Sequence, residues 1–314
     1  MSDNKTSTLR IVFMGTPEFA VASLRALIDA GHDIAAVVTA PDKPSGRGLQ
    51  MTQSAVKRFA VEHNLPILQP EKLKDPQFLE SLKALHADLF VVVAFRMLPE
   101  VVWSMPPKGT INLHGSLLPK YRGAAPIQRA IMNGEKETGV TTFFLQQEID
   151  TGKIIARERI PIGPDETAGE LHDRMMEIGA HCLAHTVELI ARNEAVGVAQ
   201  EEHIAAGEAL IHAPKIFRED CQIDWEQTTD QVHNHIRGLS PYPGAWTLFE
   251  GKTLKVLSGR KEHESHEQLP GIWESDGKTF LRFATSDGWY SVQRLQLEGK
   301  KAMDVVEFLR GWKR

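Results

Sequence analysis

The stretch that decides the fold class is DLFVVVA at residues 88–94, followed further along the chain by TINLH at residues 110–114. A strand that is apolar on both faces is typical of the centre of a parallel sheet, because helices cover both sides of such a sheet. Before it, strand-like runs alternate with stretches of helical periodicity. The strand-like runs are residues 9–14, 34–39 and 66–69, and the helical stretches are residues 18–30, 53–64 and 76–86. This alternation predicts a doubly wound α/β domain with a parallel-rich sheet.

The pattern changes after a mixed segment at residues 194–209, which we interpret as a linker between a first domain at residues 1–193 and a second at residues 210–314. Beyond it, short β-like runs are separated by turns that contain Gly and Asp. The runs are residues 245–250, 252–258, 271–274, 279–284 and 289–297, with helical patterns at residues 228–238 and 302–312. Several short strands within about 100 residues predict a small β-barrel, of which the OB-like barrel is one form.

Composition excludes several classes of protein. The chain has 314 residues, of which 42% are hydrophobic and 25% charged, so it is not a disordered chain. No apolar run reaches the roughly 18 residues that a membrane span needs, and the polar amino-terminal stretch predicts no signal peptide. Two cysteines, Cys182 and Cys221, give no disulfide framework, so we expect a cytoplasmic protein. No long coiled-coil pattern stands out, and we therefore expect a monomer. The net charge of -5 requires any nucleic-acid contact to be a local basic patch.

The densest group of polar residues is INLHGSLLPKYRGAAP at residues 111–126. Asn112 and His114 are two apart at the end of a predicted strand, so both side chains lie on the same face. Asp150 lies in a turn between two further predicted strands, at residues 139–145 and 153–160, where it can come beside His114. An amide, an imidazole and a carboxylate together suit the transfer of an acyl group to an amine: Asn and His donate to the developing oxyanion, and Asp favours the charged His or holds a water.

Spacing alone leaves a structural explanation open for these residues. Asn112 could cap the loop, His114 could be a hydrogen-bonded histidine at a strand end, and Asp150 could form an Asx-turn. Other motifs are weaker. Gly15 alone does not make a dinucleotide-binding loop, and LHGSL is not a nucleophile elbow. His181, Cys182 and His185 do not supply a complete set of zinc ligands, so we predict no metal site.

Residues 41–50 read PDKPSGRGLQ and are too rich in Gly and Pro to predict a regular element. A flexible loop that carries Lys43 and Arg47 could clamp a phosphate backbone. The composition by itself favours a solvated surface loop instead.

Several motifs together closely resemble the methionyl-tRNA formyltransferase family, part of the superfamily of transferases that use 10-formyltetrahydrofolate. They are MGTPEFA at residues 14–20, PDKPSGRG at 41–48, NLHGSLLPKYRGAAPIQ at 112–128, TGVTTF at 138–143, IDTG at 149–152 and IDWEQTTDQVHNHIRGLSPYPGAW at 223–246. The likeness runs nearly from end to end. HGSLLP with a downstream Asp and Thr-Gly is shared across the superfamily, whereas PDKPSGRG and GAAPIQ narrow it to the tRNA enzymes.

The resemblance implies a Rossmann-like formyltransferase domain followed by an OB-like barrel that binds tRNA. It implies that Asn112, His114 and Asp150 are the catalytic residues and that Arg47 belongs to a basic loop that engages tRNA, with Lys43 beside it. The segment expected to contact the folate consists of Ser116, Leu117, Leu118 and Pro119. The implied reaction moves a formyl group from 10-formyltetrahydrofolate, without a metal, to the amine of methionyl initiator tRNA.

Two departures from the family pattern stand out. Leu49 and Gln50 follow Gly48 where the family usually has lysines, and residues 95–99 form a shorter loop without the usual glycine, so we assign no pterin contact there. A related activity, the formylation of an amino-sugar nucleotide, stays as the alternative because such enzymes share HGSLLPKYRG. A non-catalytic RNA-binding protein on a degenerate scaffold is disfavoured by the intact Asn112, His114 and Asp150.

Overall fold

A seven-stranded sheet organises the first part of the chain in this computed structural model, which describes residues 8–45, 50–204 and 209–312. Its strands are β1 Arg10–Gly15, β2 Asp33–Val38, β5 Ile67–Leu68, β6 Leu89–Val93, β7 Thr110–His114, β8 Glu137–Phe144 and β9 Ile154–Pro161. They lie in the order β5-β2-β1-β6-β7-β8-β9. All strand pairs from β5 to β7 are parallel, and β8 joins β7 antiparallel. The predicted parallel-rich sheet is therefore confirmed.

Helices connect these strands as the sequence pattern predicts. They are α1 Glu18–Asp29, α2 Ala55–Glu62, α3 Pro76–Ala84, α4 Glu100–Trp103, α5 Pro126–Met132 and α6 Ala168–Ala191. Ser54 caps α2 by accepting a hydrogen bond from the Lys57 amide, and Asp75 caps α3 in the same manner. Every residue of β6 is buried, which fits a central strand covered on both faces.

The order of the strands places three strand ends side by side at the carboxyl edge of the sheet. β1, β6 and β7 are consecutive neighbours, so Gly15, Val93 and His114 end adjacent strands. The turn after β1 needs glycine, because a Cβ at Gly15 would lie 2.7 Å from the Ala20 Cβ and 3.0 Å from the Val93 carbonyl oxygen. Ligands of open α/β sheets bind at this edge.

The prediction that residues 41–50 hold no regular element is wrong. β3 Lys43–Ser45 and β4 Gln50–Thr52 form a two-stranded antiparallel ladder, with Lys43 opposite Thr52. Pro44 fits because each strand of an isolated pair has one edge where no N–H is needed. Arg47 lies outside the described residues.

The chain divides into two compact units. The first unit runs to Gly123 and also contains Gly139–Ile160 and Asp173–His212. The second unit contains Ala124–Thr138, Pro161–His172 and the chain from Ala213 onward. The domain boundaries given above, with a linker at residues 194–209, stay a prediction. Within that segment the structure describes a 3-10 turn at Gln200–His203.

The second unit is built on a six-stranded antiparallel sheet. Its strands are β10 Ala245–Phe249, β11 Lys252–Glu262, β12 Trp273–Ser275, β13 Leu281–Ala284, β14 Trp289–Leu297 and β15 Met303–Asp304, and its helices include α7 Thr229–Gly238 and α8 Val305–Gly311. β11 bends around a shared core, which includes Phe249, Phe283 and Tyr290. This half-barrel agrees with the expected OB-like architecture. The last predicted helix begins later than expected, because residues 303–304 pair with β14 first.

Candidate active site

Asn112 and His114 lie at the carboxyl end of β7, as the sequence pattern predicts. They are two positions apart along the strand, about 6.6 Å of rise, and their side chains lie on the same face. Asn112 is half-buried between Val92 of β6 and Phe143 of β8, and His114 is buried opposite Thr141 of β8. Both therefore lie at the carboxyl edge of the sheet.

The orientation of the His114 ring is fixed by a backbone group. Its Nε2 lies 2.9 Å from the carbonyl oxygen of Tyr121, which can only accept, so Nε2 carries a hydrogen and donates. Tyr121 has a positive φ of 60°, a conformation that few non-glycine residues adopt, and this turns its carbonyl toward the ring. Nδ1 is then the nitrogen that remains for proton exchange at the site.

Asp150 lies beside His114, as the predicted loop geometry requires. Its Oδ2 is 3.8 Å from Nδ1 of His114 and accepts a hydrogen bond from the Gly123 amide at 3.0 Å. The separation of 3.8 Å exceeds a direct hydrogen bond and is one that a water can bridge. The carboxylate is thus held by a distant loop rather than by a local Asx-turn. Asp150 itself has a positive φ of 55°.

Glycine at position 152 has a steric reason in this turn. A Cβ there would lie 1.6 Å from the carbonyl oxygen of Phe144, so no other residue fits without moving β8. The Thr-Gly that follows Asp150 in the motif therefore allows the turn to lie against the sheet.

The segment predicted to contact folate is anchored firmly to β8. The Ser116 hydroxyl donates to the Lys120 carbonyl at 2.7 Å, and the Thr141 hydroxyl donates to the Ser116 carbonyl and accepts from the Leu118 amide. Leu118 is fully buried against Phe143 and Ile154. Ser116 and Leu118 thus hold the loop, and the buried Pro119 continues it. Leu117, half-buried, lies over Gly139, where a Cβ would come within 2.5 Å of its Cδ2.

Sequence reasoning missed one buried polar residue of this site. Gln200 has no exposed surface, and its side-chain amide hydrogen-bonds the carbonyl oxygens of Asp150 and Gly152. It lies in the segment of mixed composition, where no periodicity or motif marks it. The Arg122 side chain donates to the oxygen of the same amide, and the only sequence signal for Arg122 is its place in the polar cluster at residues 111–126.

Two models of known protein families match the chain, one over its first part and one over its second. A family model described as formyl transferase matches residues 9–187, and one described as formyl transferase, C-terminal domain, matches residues 215–313. The chain belongs to the formyl transferase family. The resemblance drawn from the motifs is confirmed.

Relatives of this formyltransferase match over almost their whole length. A protein of Bacteroides fragilis named methionyl-tRNA formyltransferase is 50% identical over 313 residues, covering 98% of this chain and 96% of the relative. One of the same name from Azobacteroides pseudotrichonymphae is 54% identical over 312 residues, covering 97% and 96%.

Solved structures share the fold at lower identity. The sugar 3N-formyl transferase WlaRD superposes with a TM-score of 0.66 at 20% identity, covering 94% of this chain and 99% of that one. HypX from Aquifex aeolicus in complex with tetrahydrofolic acid gives a TM-score of 0.65 at 20% identity, covering 96% of this chain and 47% of that one. These likenesses support the α/β architecture with its second, antiparallel unit.

Of the two predicted tRNA-binding residues, the structure describes Lys43 but not Arg47. Lys43 is exposed on β3. In the shortened loop at residues 95–99, the Arg96 guanidinium donates to the carbonyls of Glu71 and Pro70, and Met97 is exposed.

The Cys182 thiol is not activated as a nucleophile or a metal ligand: burial and, to a lesser extent, the charge of Glu158 raise its pKa to about 11. Among the described residues no group of three or more acidic, His or Cys side chains is placed to hold a metal ion, and no helix could span a membrane.

Proposed function

We propose that this chain is a methionyl-tRNA formyltransferase. It transfers the formyl group of 10-formyltetrahydrofolate to the α-amine of methionyl initiator tRNA and releases N-formylmethionyl-tRNA and tetrahydrofolate. The observation that carries the proposal is 50% identity over 98% of the chain, across both units, to a relative of that name. The His114–Asp150 pair at the sheet edge supports it, because that pair suits acyl transfer to an amine.

The proposed step forms one bond and breaks one. The amine nitrogen attacks the formyl carbon, the carbon–oxygen double bond becomes an oxyanion, and the bond from the formyl carbon to N10 of the folate then breaks. One proton leaves the amine and arrives on N10 of tetrahydrofolate. The Asn112 amide donates to the oxyanion, and His114 donates to it from Nδ1 once that nitrogen carries the proton taken from the amine; donors placed in this way contribute the most to rate.

The hydrogen bond from Nε2 to Tyr121 assigns the two ring nitrogens different tasks. Nε2 holds the ring, and Nδ1 exchanges the proton with the reacting groups, directly or through a water held by Asp150. The carboxylate favours the imidazolium that develops when Nδ1 takes up a proton.

The residues of the folate segment, 116–119, have different roles in this arrangement. Since Ser116 and Leu118 are engaged in holding the loop, we propose that backbone groups of residues 116–119 and the side chain of Leu117 face the folate. Pro119 stiffens the end of the segment. The loop at residues 95–99 receives no assigned contact.

Binding of the tRNA requires a local patch of positive charge. A chain with a net charge of -5 needs a basic patch to hold a phosphate backbone, and we propose that Lys43 and Arg47 provide part of it. Exchanging Lys43 for Ala should weaken tRNA binding up to roughly tenfold and lower the slope of log affinity against log salt by about 1. Filter binding at several salt concentrations measures both quantities, with folate binding as the control. An unchanged salt slope would remove Lys43 from the tRNA contact.

A protein that acts on tRNA works where translation takes place, so we propose a cytoplasmic location. The two cysteines are both free and buried, which fits a reducing compartment. We also propose that the chain acts as a monomer, which gel filtration at several concentrations tests.

A competition between acceptors tests the function. The purified chain receives 10-formyltetrahydrofolate together with either methionyl initiator tRNA or a nucleotide-linked amino sugar. We expect formylation of the tRNA and none of the sugar, and His114→Ala serves as the inactive control. Formylation of the sugar alone would reject the proposal in favour of the sugar enzyme, and transfer to neither would reject both activities.

A further inference from the structure

Gln200 connects the turn that contains Asp150 with the loop that follows His114 in the chain. It opens the 3-10 turn Gln200–His203, and Val198 just before it exchanges two backbone hydrogen bonds of 2.8 Å with Ile154. The segment is therefore tied to β9 by backbone hydrogen bonds. The Gln200 side chain points inward and has no exposed surface.

The amide nitrogen of Gln200 holds the turn of Asp150. Nε2 donates to the carbonyl oxygen of Asp150 at 2.8 Å and to that of Gly152 at 2.9 Å. Asp150 needs such support because its left-handed backbone, with a φ of 55°, is unfavourable for a residue other than glycine. One hydrogen bond on each side of Thr151 therefore holds that backbone, and hence the carboxylate, in place.

The amide oxygen of Gln200 holds the loop of His114. Oε1 accepts from Nε of Arg122 at 3.0 Å and from Nη2 at 2.7 Å. The neighbours of Arg122 in sequence are Tyr121, whose carbonyl orients the imidazole, and Gly123, whose amide binds the Asp150 carboxylate. Fixing Arg122 therefore fixes both backbone groups that set the geometry of the pair.

Glutamine is the residue type that this position requires. Its two N–H donors and both lone pairs of its oxygen are engaged, and the guanidinium can only donate, which determines the orientation of the amide. Glutamate lacks the donors, lysine and arginine lack the acceptor, and asparagine has a shorter side chain.

We infer that Gln200 is a positioning residue of the formyl transfer, which acts through Asp150 and Arg122 to set the distance between the Asp150 carboxylate and the His114 imidazole. The inference rests on the proposed function, since that function makes the pair a reacting one. Reactions of this kind are sensitive to placement, and a misplacement of about 1 Å lowers a rate by roughly 10²-fold.

Two variants separate the halves of the contact. Gln200→Glu keeps the acceptor for Arg122 and loses both donors, and Gln200→Met keeps the volume and loses every hydrogen bond. We expect kcat to fall by roughly 10- to 100-fold in both, with the KM values for 10-formyltetrahydrofolate and tRNA changed by less than about 3-fold. Glu201→Gln, an exposed neighbour on the same turn, is the matched control and should keep the wild-type kcat. A wild-type kcat in both Gln200 variants would overturn the inference.

Hydrogen exchange distinguishes positioning from a general loss of stability. The Gly123 amide donates to the Asp150 carboxylate, so its exchange should accelerate by about 10-fold or more when that carboxylate is displaced, while amides of β6 keep their protection. Equal acceleration at β6 would mark a merely structural role and overturn the inference. Should Gln200→Met fail to fold, Gln200→Glu is measured in the same way.

A double variant tests whether Gln200 acts through Asp150. In an Asp150→Ala background, adding Gln200→Met should lower kcat by clearly less than it does in the wild-type chain, because only the path through Arg122 to His114 remains and residues that act through one group are not additive. Full additivity would overturn the proposed path. These results are distinguishable from failure of the proposed function: a wild-type chain that does not formylate tRNA rejects that function, whereas exchange at Gly123 still reports whether Gln200 holds Asp150.

Discussion

Each unit of the molecule contains a buried histidine next to an aspartate, and the two pairs are built differently. In the first unit, His114 donates from Nε2 to a backbone carbonyl and turns Nδ1 toward Asp150 at 3.8 Å. In the second unit, Nε2 of His233 lies 3.1 Å from Oδ1 of Asp165 and 3.3 Å from the Pro164 carbonyl. Asp150 is 12% exposed, and Asp165 is 80% exposed.

The difference supports the proposal that the first pair takes part in the reaction and that the second pair is structural. The carboxylate of Asp150 is fixed by Gly123 and the turn is fixed by Gln200, so the gap to the imidazole is maintained. Asp165 is exposed to solvent and contacts His233 directly, as in a link between chain segments. Arg237, buried beside them, donates to the carbonyls of Gly163 and Glu166 and reinforces that link. We therefore expect changes at the first pair to affect rate and changes at the second pair to affect stability.

The largest expected effect is the loss of rate when His114 is removed. His114→Ala should lower the single-turnover rate of formyl transfer by roughly 10³-fold, because it removes an oxyanion donor and the proton carrier together. Binding of tRNA should be nearly unchanged. His233→Gln is the matched control, and it should retain the wild-type rate. A comparable loss of rate in both variants would erase the distinction between the pairs.

A smaller loss of rate is expected when the charge of Asp150 is removed. Asp150→Asn keeps an oxygen that can accept from the Gly123 amide but no longer stabilises an imidazolium, and the rate should fall by roughly 10²-fold. Asp165→Asn makes the same change at the other pair and should leave the rate within about 2-fold of wild type. Single-turnover measurements at saturating substrates make the comparison. A normal rate in Asp150→Asn would mean that the carboxylate serves only the structure.

How much of the structure the sequence predicts depends on how far apart along the chain the contacting residues lie. The strands, the shared face of Asn112 and His114, and the meeting of His114 with Asp150 follow from local periodicity and from the topology of parallel sheets. The role of Gln200 does not, because its partners are 48, 50 and 78 residues away along the chain. The ladder of β3 and β4 was also missed, since a Gly- and Pro-rich composition indicates a turn but says little about short strands beside it.

The second pair should instead determine stability. His233→Ala removes a buried ring that packs near Tyr290 and two polar contacts at Nε2, and we expect the free energy of unfolding to fall by about 2–3 kcal/mol. Chemical denaturation of wild type and variant measures the difference. The rate of formyl transfer per folded molecule should not change, which distinguishes this variant from His114→Ala. A stability equal to wild type would refute the structural role.

The smallest expected effect is a dependence of stability on pH through His233. Burial lowers the pKa of His233 below its ordinary value, and the charge of Lys261 adds to this, while the Pro164 carbonyl opposes it. A group with a lowered folded-state pKa binds fewer protons in the folded than in the unfolded chain. Its stabilising contribution is therefore complete above the unfolded value of about 6.5 and is lost as the pH falls toward the folded value.

Thermal unfolding tests this sign. The melting temperature should decline between about pH 7 and about pH 5, and the decline should be smaller in His233→Gln, which keeps a side chain able to donate to Asp165 but does not titrate. Other histidines whose pKa burial lowers, the half-buried His32 and His235 among them, contribute to the decline in both proteins, so the difference between the two curves isolates His233. Identical curves would show that Asp165 compensates for burial by stabilising a charged His233, and would contradict the expected pH dependence.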